Sequence, residues 1–125
     1  MAENKPVILY VEDDPDFLEA LRVVLEANGF EMVGATSGEE GLRRYKESTP
    51  DFILIDLMME EVDAGTNLAK ELRALRNEAP VYMLSSVGDD MNLTIDSDEI
   101  GFDGVLQKPM DPDALIALIR SKLKS

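Results

Sequence analysis

The sequence predicts an α/β protein, a parallel sheet of five strands with helices on both faces, laid down as five successive strand–helix units. Two observations carry this. Short apolar runs of strand length alternate along the whole chain with longer segments of helical period. The runs are apolar throughout rather than alternating with polar residues, which is how strands covered on both faces read, and strands joined by helices pair in parallel. At 125 residues the chain has the size of one domain.

The first strand is Val7 to Val11. Asp14 and Pro15 then open a helix in which Phe17, Leu18, Leu21, Val24 and Leu25 share a face, and Asn28 with Gly29 ends it. Glu31 to Ala35 is a second, weaker strand. Ser37 and Glu40 form a capping box for a helix that runs to about Ser48 and is stopped by Pro50. Phe52 to Ile55 is the third strand and stops at Asp56. A loop leads through Gly65 to Thr66, the cap of a helix with Leu68, Leu72 and Leu75 on one side. Pro80 precedes the fourth strand, Val81 to Leu84; the polar, acidic stretch from Gly88 to Gly101 leaves room only for a short or irregular helix. Val105 to Gln107 is the fifth strand. Asp111 and Pro112 start a last helix, with Leu115, Ile116, Leu118, Ile119 and Leu123 as its buried stripe. No linker, repeat or low-complexity tract interrupts the pattern, so the expectation is one domain over residues 1–125 without an output domain.

Composition removes several functions. Twelve Lys and Arg stand against 26 Asp and Glu, a formal net charge of −14. Such a surface repels nucleic-acid phosphates. The chain has no Cys and no His, which excludes disulfides, thiolate or imidazole metal sites and histidine bases. The N-terminal apolar run is too short for a signal peptide and no stretch approaches a membrane span, so a cytoplasmic protein without membrane insertion is expected.

The chemistry is expected where ligands bind in such sheets, outside the carboxyl ends of the strands. Strand one ends in Glu12, Asp13 and Asp14, strand three in Asp56, strand four in Ser85 and Ser86, strand five in Lys108 and Pro109. An isolated Asp after a strand is ordinarily a turn or cap residue. Several carboxylates on one sheet edge are costly without a counter-ion, and a hard divalent cation relieves the repulsion. Mg²⁺, which takes few carboxylates together with waters and phosphate oxygens, fits this set, with Mn²⁺ as a substitute; no EF-hand pattern favours Ca²⁺. A carboxylate can serve as a nucleophile toward phosphorus, with a lysine ammonium and a serine hydroxyl to receive phosphoryl oxygens.

The motifs VEDD, ILIDLM, MLSS and QKP, in this order and at these strand ends, resemble the signature of response-regulator receiver domains across nearly the whole chain. The resemblance implies a flavodoxin-like (βα)5 doubly wound parallel sheet of order 2-1-3-4-5. It implies Asp56 as phosphoacceptor, Glu12 and Asp13 as the acidic metal pair, with Asp13 a direct ligand and Glu12 acting through water, and the backbone carbonyl of Met58 as a further metal ligand. Ser85 matches the switch hydroxyl and Lys108 the family's lysine, with a cis bond to Pro109. The donor would be a phosphohistidine on a sensor histidine kinase or phosphotransfer protein, and the output a conformational signal to a partner protein. Beyond its own phosphorylation and dephosphorylation the domain would not be an enzyme.

Several positions depart from the family pattern. Val105 stands where a Tyr or Phe usually swings inward, the stretch between Ser85 and Lys108 is slightly long, Glu60 replaces a proline, and Ala64 a glycine. Met58 and Val87, which in the family flank the path of the hydrolytic water, are both apolar and point to slow self-dephosphorylation. A degenerate receiver acting as a phosphorylation-independent binding module is the alternative. A phosphatase would want a second Asp where Met58 stands, and an FMN binder would want a hydroxyl- and glycine-rich loop where EDDPD stands.

Overall fold

The computed structural model describes residues 5–56, 70–86, 104–108 and 111–123, with Ser85, Ser86 and residues 104, 105, 107 and 108 described by backbone alone. The strands are β1 (Val7–Val11), β2 (Glu31–Ala35), β3 (Phe52–Asp56), β4 (Val81–Ser86) and β5 (Gly104–Lys108). They form one parallel sheet in the order β2-β1-β3-β4-β5. The complete helices described are α1 (Pro15–Ala27), α2 (Gly38–Ser48) and α3 (Pro112–Leu123). Residues 70–74 are also helical. The expected helix between β4 and β5 and the Thr66 cap lie outside the described residues.

Alternation along the central strands divides the core in two. Ile8 and Tyr10, Phe52 and Leu54, Tyr82 and Leu84 face one side, where they pack with Leu25, Leu115, Ile116 and Ile119 of α1 and α3. Leu9 and Val11, Ile53 and Ile55, Val81 and Met83 face the other side, with Leu72 buried among them and Leu42 and Tyr45 of α2 packed against them. Period-two alternation thus buries both faces of β1 and β3. Phe52 and Tyr82 stack on neighbouring strands, centroids 5.4 Å apart and planes 6° from parallel.

The helix ends follow their capping chemistry. Asp14 accepts the Asp16 N–H at 2.9 Å at the start of α1, and Pro15 takes the first helical position, where a missing N–H costs nothing. At the other end Gly29 adopts φ 89°, a conformation glycine enters freely. Asp111 accepts the Asp113 N–H at 3.2 Å to open α3. Asp51 ties the start of β3 to β1: its N–H donates to the Val7 carbonyl at 2.7 Å, and its carboxylate accepts the Val7 N–H at 2.8 Å.

Some expectations are corrected. β3 includes Asp56, β4 runs on through Ser86, and β5 spans Gly104 to Lys108, so the strands carry the candidate residues as their last members. Phe17 is 45% exposed although it shares the apolar face of α1; it sits in the first turn of the helix, while Leu25 near the other end is fully buried. Leu75 is equally exposed, because the helical stretch ends there and Arg76 turns to φ 63°. In the capping box, Ser37 accepts the Glu40 N–H at 3.0 Å as expected. The Glu40 carboxylate, however, reaches past the cap to the N–H and hydroxyl of Thr36, at 2.7 and 2.9 Å.

Those two Thr36 hydrogen bonds, with smaller contributions from Arg44 and Arg43, hold Glu40 below the ordinary glutamate value against the opposing effect of burial. A carboxylate depressed in the folded state contributes stability that is complete above its unfolded pKa and is lost as pH falls through the folded value. Glu40→Gln is therefore expected to be less stable than wild type at neutral pH, with the gap closing on acidification below about pH 4.5. Urea unfolding as a function of pH checks this; a gap of constant size down to strong acid would contradict it.

Candidate functional site

The site grows out of register. Val11 on β1 pairs with Ile55 on β3, so the next residues along, Glu12 and Asp56, come side by side. The Glu12 N–H donates to the Ala35 carbonyl at 2.8 Å, which carries the β1–β2 ladder one step past the strand and holds the Glu12 backbone in place. Each of Glu12, Asp13 and Asp56 offers a carboxylate oxygen, and the three oxygens lie within 4.8 Å of one another. Glu12 and Asp56 are each only 1% exposed, while Asp13 is partly buried.

Asp14, the fourth acidic residue of this edge, has a different task. Its side chain caps α1, and its N–H donates to Glu12 Oε2 at 3.3 Å. The other Glu12 oxygen, Oε1, accepts the Tyr10 hydroxyl at 2.8 Å. Sequence reading took Tyr10 as one more apolar residue of the first strand and missed this contact. The available signal was parity: two residues apart on an extended chain, Tyr10 and Glu12 project to the same side. Burial first, then the Glu12 charge and the hydrogen bond to it, then Asp56 and Asp14, push the phenol far above its ordinary range. It remains a donor wherever the carboxylates are ionised.

The other sequence-derived candidates fall on neighbouring strands. Asp56 pairs with Leu84, so Ser85 is one position further along β4. Ser85 pairs with Gln107 and Ser86 with Lys108, which ends β5 at the same edge of the sheet. The backbone thus brings Asp56, Ser85 and Lys108 to adjacent strand ends. Met58, Val87, Glu60, Ala64 and the Lys108–Pro109 bond lie outside the described residues.

This donor set suits a hard cation. All three side chains offer oxygen, their ligand atoms lie close together, and two of the three are nearly inaccessible to water, a set that suits a hard divalent cation. Mg²⁺ would be held by Glu12, Asp13 and Asp56.

Comparison with known proteins points the same way. The family model described as "Response regulator receiver domain" matches residues 8–120. The transcriptional regulatory protein CseB of Streptomyces avermitilis is 36% identical over 124 residues, which are 99% of this chain and 51% of that protein. The chain thus spans about half the length of the curated relatives it matches. Among solved structures, a CheY-like response regulator receiver domain protein from Methanospirillum hungatei superposes with a TM-score of 0.85 at 27% identity, covering 96% of this chain and 94% of its own. The receiver domain of a Francisella response regulator gives 0.83 at 31% identity, covering 96% and 98%.

Crowding of like charges has a measurable consequence. At an effective dielectric constant of about 20, two unit charges this close repel by roughly 3 kcal/mol before screening. Asp56→Asn removes one charge and keeps the shape. It is expected to raise metal-free stability by about 1–2 kcal/mol. It should also shrink the further stabilisation that Mg²⁺ gives wild type. Thermal unfolding with chelator and with excess Mg²⁺ reads both; an unchanged or lower metal-free stability would refute the repulsion.

Proposed function

The chain belongs to the response regulator receiver family, and from that membership we propose that it accepts a phosphoryl group on Asp56 from a phosphohistidine of a sensor kinase or phosphotransfer protein. The observation that carries this reading is the Glu12–Asp13–Asp56 cluster at the carboxyl edge of the sheet. A carboxylate oxygen of Asp56 attacks phosphorus as the P–N bond of the donor breaks, leaving an aspartyl phosphate and a neutral imidazole once the donor ring is protonated. Bound at the cluster, Mg²⁺ would mask the charge of the attacking carboxylate and of the phosphoryl oxygens.

The protein's own groups do the rest. Glu12 and Asp13, with the backbone carbonyl of Met58, would hold the cation. The Ser85 hydroxyl and the Lys108 ammonium receive phosphoryl oxygens from the neighbouring strand ends, a role supported by the parallel register that pairs Ser86 of β4 with Lys108 of β5. Phosphorylation adds charge at this edge and biases a two-state equilibrium that a partner protein reads. The complete unit is read as a flavodoxin-like (βα)5 domain working in the cytoplasm. Among the described residues no helix is long and apolar enough to cross a membrane. The net charge of −14 disfavours direct contact with nucleic acid. On this reading the domain catalyses only its own phosphorylation and its own, slow, dephosphorylation.

Intact mass after incubation with acetyl phosphate tests the proposal. A single phosphoryl adduct is expected, requiring Mg²⁺ and absent in Asp56→Asn. Lys108→Ala is expected to slow its formation by about a hundred-fold, the scale of losing one preorganised charge partner. No adduct under conditions that modify another receiver would favour a degenerate receiver acting as a binding module. The apolar pair Met58 and Val87 predicts a long-lived adduct. Replacing Met58 by Asn and Val87 by Glu should shorten its decay time, and an unchanged decay would remove these two side chains from the account.

A further inference from the structure

We propose that Tyr10 is a positioning residue for the acidic site: its hydroxyl clamps Glu12 where that carboxylate meets a divalent cation, and its ring registers the binding. The inference rests on reading the Glu12–Asp13–Asp56 cluster as a Mg²⁺ site.

Tyr10 is 2% exposed and packs in the apolar layer beneath α1 and α3. A phenylalanine would fill that layer equally well and would bring no polar atom to bury. The hydroxyl is explained by its partner. A buried O–H must be paired, and this one donates to Glu12 Oε1 at 2.8 Å. Glu12 is then held at both oxygens, since Oε2 accepts the Asp14 N–H at 3.3 Å. A glutamate side chain has several rotatable bonds, and fixing it otherwise costs entropy when a ligand arrives. Here the strand interior supplies the restraint in advance. Groups that orient a metal's ligands from behind typically change its affinity by about ten- to a hundred-fold when removed.

The clamp also makes the ring a sensor. A cation drawing charge from the Glu12 carboxylate weakens the acceptor that faces the phenol, and tyrosine absorbance follows the strength of that hydrogen bond. The chain holds three tyrosines and no tryptophan, so its near-ultraviolet difference spectrum is a tyrosine spectrum.

The experiment is a Mg²⁺ titration of the metal-free protein, followed by calorimetry and by near-ultraviolet difference absorbance, for wild type, Tyr10→Phe and Tyr45→Phe. Wild type should give a saturating tyrosine signal with the same midpoint as the heat. Tyr10→Phe should lose that signal and bind Mg²⁺ roughly ten-fold more weakly. Tyr45→Phe, altered on the opposite side of the sheet, should keep both. Saturable binding in wild type without any tyrosine signal overturns the inference and needs no variant to do so. Equal or tighter binding by Tyr10→Phe, with metal-free unfolding showing it folded, overturns it as well and leaves the metal site standing. No saturable Mg²⁺ heat in wild type removes the metal site and this inference together.

Discussion

The pairing of β1 with β3 is the constraint on which the site depends. Val11 opposite Ile55 sets Glu12 next to Asp56, although the two are far apart in sequence. The same register seats both strands' apolar side chains against helices on the two faces. A slip of one residue would send Ile8 and Tyr10 to the wrong layer and separate the carboxylates at once. Stability of the core and geometry of the site are therefore one requirement. Asp51, bonded at both its backbone and its side chain to Val7, enforces it from the amino end of the strands.

What the core secures, the acidic edge strains. Two nearly inaccessible carboxylates and a third partly buried one face each other at the point where the sheet stops. Four acidic residues lie near that edge, yet they divide the work. Asp14 is drawn off to cap α1, Glu12 is held between the Asp14 N–H and the Tyr10 hydroxyl, and Asp13 and Asp56 complete the cluster. The division follows from local geometry: the residue just before a helix turns its side chain back to the free N–H groups, while residues at a strand end continue the alternation of the strand. A receiver uses such an edge as a charge-sensitive element. On the proposed reading, a cation and a phosphoryl group would change the local charge by whole units where the surroundings are poorly screened, enough to shift a balance of a few kcal/mol.

The sequence by itself determined the fold class, the order of the strands and of the described helices along the chain, and the identity of the acidic residues. These are encoded locally, by unbroken apolar runs, by Asp14–Pro15, Ser37 and Asp111–Pro112 at helix starts, and by Gly29 at a helix end. Chain topology then sends every strand's carboxyl end to one edge, so the sequence alone already names Glu12, Asp13, Asp56, Ser85 and Lys108 as residues of that edge. Only the tertiary structure decided the rest, because it depends on what one element lays against another. Phe17 and Leu75 follow the helical period yet stand exposed at the ends of their helical stretches, since period fixes a direction on the helix and not what lies against it. Glu40 chose Thr36 over the cap because the β2–α2 turn brings two donors of Thr36 within its reach. Tyr10 read as apolar filling, and the depth at which its hydroxyl meets a carboxylate follows from the packing of the strand, which no local pattern of residues records.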